Sequence, residues 1–102
     1  MRIIKCLTEK IKEEIKDADA YISLAEDWRN EEPDTAELFY ELSTEEMGHA
    51  ERLHDAVVEM IGKYREQHGD PPKVMLELYD YMHAQQIEES MRVKIKQGMY
   101  KS

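Results

Sequence analysis

The sequence predicts an all-α protein, an antiparallel helical hairpin followed by a third helix. Three observations predict it. Apolar residues recur every three or four positions over three long stretches. The two interruptions, at Pro33 and at Gly69–Pro72, carry helix-stop and helix-start residues. Strand-like alternation is absent. The expected helices span about Arg2–Arg29, Pro33–His68 and Pro71–Tyr100, in a single domain over residues 1–102.

The first helix carries the stripe Ile4, Leu7, Ile11, Glu14, Ala18, Tyr21, Ala25, Trp28, with Ile15 and Ile22 widening it. Glu14 is the only charged member. Lys10, Lys12, Lys16 and Asp17 fall on or near the solvent side. A glutamate at the edge of the stripe, salt-bridged to a lysine, is the plain structural account of Glu14.

Asn30-Glu31-Glu32-Pro33-Asp34 ends that helix and starts the next, because proline and acidic residues suit a first turn. A connection this short folds the two helices back antiparallel. The second helix has one apolar row at Phe39, Leu42, Leu53, Ala56 and Met60. Glu46 and His49 stand in that row where two more apolar residues are due. A carboxylate and an imidazole three apart share a helix face and can grip one metal ion. Burying an unpaired carboxylate costs roughly several kcal/mol, so a metal gives the row a reason to carry one. A buried hydrogen-bonded pair is the alternative. A second row, Met47, Ala50, Val57 and Ile61 with His54 inside it, means that this helix touches partners on two sides.

Glu51–His54 repeats the Glu-x-x-His spacing, but Glu51 lies on the flank with Arg52 and Asp55, so the pair is expected to be structural. The third helix follows Gly69 as a C-terminal stop, Asp70 as N-cap and Pro71 at the first position. Its stripe is Val74, Leu78, Tyr81, Ala84, Met91, Ile95 and Met99. Glu88 fits the gap in it but has Arg92 one turn on as an ion-pair partner. Asp80 and His83 share the metal-ligand spacing off the main stripe. The seven methionines sit at packing positions.

Composition bounds the function. The 102-residue chain is 36% charged with net charge −9, which disfavours nucleic acid and anionic membranes and favours cations. Cys6 is alone, so a disulfide framework and a four-cysteine metal site are both excluded. The sequence has no apolar run of membrane-spanning length and no signal-peptide core, so the expected location is cytoplasmic. No phosphate loop, nucleophile elbow or hydrolytic triad is evident.

At Glu14, Glu46 and His49 the sequence resembles the ferritin-like superfamily. The stretch TAELFYELSTEEMGHAERL is similar to the second helix of ferritins and rubrerythrins, whose Glu-x-x-His binds one iron of a di-iron pair. The resemblance covers roughly Ile11 to Ile61. It implies Glu14 as the bridging glutamate of the first helix, followed seven residues later by Tyr21, an aromatic spacing those helices share. The chain departs from full-length relatives in having three helices and one ligand set, with Ala84 where a third-helix glutamate would stand and His54 in place of a large apolar residue. Its layout is closest to the half-length, encapsulin-associated ferritins. That type implies a homodimer or higher oligomer, a di-iron site shared between two chains, ferroxidase activity and an encapsulating shell protein as partner. Glu14, Glu46 and His49 are then both the metal and the catalytic residues, with Tyr21 beside them. Manganese and zinc suit the same donors, and iron is chosen by the resemblance. Without further cysteines there is no rubredoxin-type iron site. The competing expectations are a helical adaptor on the same scaffold, with structural metal or none, and a zinc enzyme with an open water position.

Overall fold

The structure, a computed structural model, describes residues 2–102. It is all-α: α1 (Arg2–Trp28), α2 (Pro33–His68) and α3 (Lys73–Lys101), with no strand among the described residues. The molecule is a rod of 56 × 19 × 18 Å. Its length is that of α2, since 36 residues rising about 1.5 Å each span about 54 Å.

Both breaks fall where the sequence places them. Pro33 opens α2 at its first position, with the Ala36 amide donating to the Glu32 carbonyl at 2.9 Å. Gly69 closes α2 with φ 77°, a left-handed conformation that costs glycine nothing, and its amide donates to Arg65 O at 2.9 Å. The start of α3 differs from expectation. The helix begins at Lys73 with Pro72 at the cap, and Asp70 instead lies 3.4 Å from the Arg65 guanidinium. The physical reason is the Pro71-Pro72 pair: a residue that precedes proline is pushed out of the helical region, so Pro71 cannot open the helix.

α2 returns antiparallel along α1, and α3 runs parallel to α1. Two buried clusters hold the three together. Ile11, Ile15, Ala18, Met47, Ala50, Val57 and Val93 form one. Ile22, Ala25, Ala36 and Tyr100 form the other, near the hairpin turn. Fully burying Ile22, Val57 or Val93 contributes about 1.5–3 kcal/mol each. Between the clusters sits a polar node. The fully buried Ser43 hydroxyl donates to the Ala18 carbonyl at 2.7 Å and accepts from Gln97 Nε2 at 2.9 Å, so one side chain ties all three helices. The end of α3 is fastened to the hairpin by Lys96–Asp19 at 2.8 Å and Lys101–Glu37 at 2.7 Å, with Tyr100 stacked on Tyr40.

The faces are rotated from those expected. On α1 the fully buried line is Ile11, Ile15, Ala18, Ile22 and Ala25, while Leu7, Glu14 and Tyr21 sit half-buried and Trp28 exposed along its edge. On α2 the second row is the buried one (Met47, Ala50, Val57). Phe39, Leu42, Glu46, Leu53, Ala56 and Met60 are half-buried. α3 departs most: it packs through Tyr79, Gln86, Val93 and Tyr100, and the expected stripe from Val74 to Met99 points to solvent. Each helix of this protein has more apolar surface than its two neighbours cover, and periodicity cannot say which neighbour takes which row. No helix of the structure is long and apolar enough to cross a membrane.

Candidate metal centre

The antiparallel hairpin brings Glu14 of α1 beside Glu46 and His49 of α2. His49 Nδ1 lies 3.7 Å from Glu14 Oε2 and 3.8 Å from Glu46 Oε1. One donor atom from each of the three falls within 4.8 Å of the others, and among the described residues this is the group of three or more acidic, histidine or cysteine side chains that could hold an ion. The glutamates are mostly shielded (side chains 22% and 19% exposed), whereas the His49 ring is half open to solvent. All three therefore stand at the rim of the hairpin, on the half-buried rows. Leu7 and Tyr21 continue the row on α1, as Leu42 and Leu53 do on α2.

The electrostatics of the pair are informative. The Glu46 carboxyl is pushed up to about 7, first by a hydrogen bond with Glu14, then by burial and by the Glu14 charge, with His49 opposing. A proton retained on Glu46 relieves the repulsion between two neighbouring carboxylates. A divalent cation between the same oxygens removes the same repulsion, so two carboxylates and an imidazole fit such an ion as a donor set. Nothing else in the cluster competes. Lys10, one turn before Glu14, is engaged by Glu13 at 3.1 Å instead of Glu14.

The other sequence candidates fall elsewhere. Glu51 is exposed, with Lys94 at 3.9 Å. Glu88 is exposed and pairs with Arg92 at 3.5 Å. Tyr21 stacks on Phe39 with centroids 6.3 Å apart, two turns along α1 from Glu14. His54 and His83, weighed separately in the sequence, come together: their rings stack at 4.7 Å, and Tyr79 stacks on the far side of His83 at 5.6 Å. They line an open groove of about 340 Å³ between α2 and α3, floored by Ile11 and Ile15. His83 Nδ1 is buried without a hydrogen-bond partner, and burial followed by the neighbouring His54 lowers the His83 pKa. Face-to-face stacking does not converge the ring nitrogens on one point, so this pair is packing. Only the register of α3 against α2 could have revealed it, and neither helix carries a sequence signal for that register.

A scan against family models matches the family described as Rubrerythrin over residues 5–101, which takes in all three helices. Comparison with curated proteins and with solved structures gives no match.

Proposed function

The chain belongs to the rubrerythrin family, a ferritin-like di-iron family, and from that premise we propose that it binds and oxidises Fe(II) at a centre completed by a second copy of itself. The observation that carries the reading is the set Glu14, Glu46 and His49: three donors within 4.8 Å, on a half-buried row flanked by apolar side chains. Three donors make half of a di-iron ligand set. A two-fold axis across this face doubles them to four carboxylates and two imidazoles. Glu46 and His49 of each chain then hold one ferrous ion, and the two Glu14 side chains span the pair. The flanking row, Phe39, Leu42, Leu53, Ala56 and Met60 on α2 with Leu7 and Tyr21 on α1, is the surface that such a dimer would bury.

In this reading iron is substrate. Each ferrous ion gives up one electron, and dioxygen or peroxide accepts it. The protein supplies carboxylates that favour the higher charge of the product and a neutral imidazole that fixes position. Glu46 must first surrender its proton, so the reaction is expected to need a pH near or above neutrality.

Aerobic addition of Fe(II) to metal-free protein tests this. A rise in near-ultraviolet absorbance, saturating at one iron per chain and lost in Glu14→Ala, is the expected result. Absence of binding would sink the reading and leave a helical adaptor.

A further inference from the structure

We infer that the outward face of α3 is a second self-association surface, on which two copies of this chain pair their third helices antiparallel about a two-fold axis. Val74, Leu78, Tyr81, Met91, Ile95 and Met99 are between 58% and 75% exposed, and they form one line along the side of α3 turned away from the hairpin. Scattered exposed apolar residues need no explanation, but six on one helix face make two apolar runs, Val74 to Tyr81 and Met91 to Met99, along a line about 38 Å long at 1.5 Å per residue.

The order of the strip identifies the occupant. An isologous contact requires a patch that is complementary to its own two-fold image. Reversed about the bond between Gln86 and Ile87, Val74 falls opposite Met99 and Leu78 opposite Ile95, while Tyr81 falls within one position of Met91. Apolar side chains thus meet apolar side chains at both ends and polar ones meet in the middle, where Glu88 faces Gln85. Glu88 keeps its own Arg92 at 3.5 Å, which limits repulsion between the two copies near the axis.

Charge agrees with the same orientation. On one flank of the strip the amino-terminal half carries Glu77 and Asp80 and the carboxy-terminal half carries Lys94, all exposed, with Lys94 also 3.9 Å from Glu51 of its own chain. Antiparallel pairing sets Asp80 within one position of the image of Lys94. Parallel pairing sets Glu88, which stands on the strip itself, against its own copy, which is repulsive. A partner of another kind has no reason to share this internal symmetry. The surface is also separate from the metal-centre face, so it does not depend on the proposed function.

Two measurements test it. The first is sedimentation velocity at tens of micromolar, comparing the native chain with Leu78→Glu/Ile95→Glu, two changes at exposed positions whose helicity is checked by circular dichroism. The expected result is a two-fold loss of assembly mass: from a larger oligomer to a dimer if the metal-centre face also associates, or from dimer to monomer if it does not. An unchanged mass, or a native chain that is already monomeric, overturns the inference. The second fixes the orientation. In a Cys6→Ser background, Leu78→Cys/Ile95→Cys is expected to form a disulfide-linked dimer under mild oxidation, whereas each single cysteine is not. Efficient cross-linking of either single variant would mean parallel pairing and would equally overturn it.

Discussion

Two pairs of like ionisable groups stand on different flanks of α2, and they solve the same problem in opposite ways. Glu14 and Glu46 are a pair of acids at the solvent rim, where a hydrogen bond with Glu14, burial and the Glu14 charge raise Glu46 to about 7. His54 and His83 are a pair of bases in the groove under α3, stacked at 4.7 Å, where burial and then the neighbouring His54 lower the His83 pKa. The acid pair retains a proton that a cation can replace, with His49 beside it as a third donor. The imidazole pair is closed by stacking on both sides of His83 and has no such exchange to make. Proximity of titratable groups is therefore not sufficient for a site; converging donor atoms are needed as well.

The largest effects that can break this contrast are in metal affinity. His49→Ala and Glu46→Ala are expected to weaken Fe(II) or Zn(II) binding by at least about a hundredfold, the upper range for groups that merely orient a ligand. His54→Ala and His83→Ala should leave calorimetric affinity and stoichiometry unchanged. Equal losses on both flanks would mean that the wrong pair has been identified. Glu14→Ala sharpens the point: weak binding at Glu46 and His49 should survive while aerobic oxidation of paired iron disappears.

The next effect is on pH-dependent stability without metal. Glu46 has a folded-state pKa raised above its unfolded value of about 4.5. Its contribution is thus fully present below 4.5 and is lost as pH rises through about 7. Denaturant midpoints of the metal-free protein should fall across that window, and Glu46→Gln should flatten the decline. If the slope persists in Glu46→Gln, the Glu46 proton is not its source.

For His83 the sign reverses. Its pKa is lowered from 6.5, so the folded state resists its protonation, and the contribution is present above 6.5 and lost as pH falls below that value. His83→Phe, which keeps a ring against His54 and Tyr79, should remove this acid-side loss in the same titration. The smallest effect is the control. Glu51→Ala changes a solvated carboxylate 3.9 Å from Lys94, and its stability should stay within about 0.5 kcal/mol of the parent with metal binding intact.

Much of this arrangement was legible in the residues. Proline and glycine act locally, so Pro33 and Gly69 marked both breaks, and only the doubled proline displaced the start of α3 to Lys73. That Glu14, Glu46 and His49 come together was also recoverable, because a short turn fixes how an antiparallel hairpin aligns. Burial was less so. Glu46 and His49 read as members of a core row, yet that row is the rim of the hairpin, and the fully buried line runs through Met47, Ala50 and Val57. The apolar stripe of α3 likewise faces solvent. A helix sequence records which faces are apolar, and the partner that covers each face is a property of the three-dimensional arrangement. The His54–His83 stack was hidden for the same reason.

The buried Ser43 hydroxyl has a consequence for the candidate metal centre that its position in the core does not advertise. Its bonds to the Ala18 carbonyl and Gln97, 2.7 and 2.9 Å long, would break if the long helices slid past one another by a turn. Glu14 precedes Ala18 by one turn, and Glu46 follows Ser43 by nearly one. An axial slip of a single turn, about 5.4 Å, would therefore carry Glu14 beyond the reach of His49 while leaving most apolar contacts interchangeable. Ser43 works as a longitudinal stop: its loss would show first as a spread of donor spacings at the rim, and only second as a loss of stability.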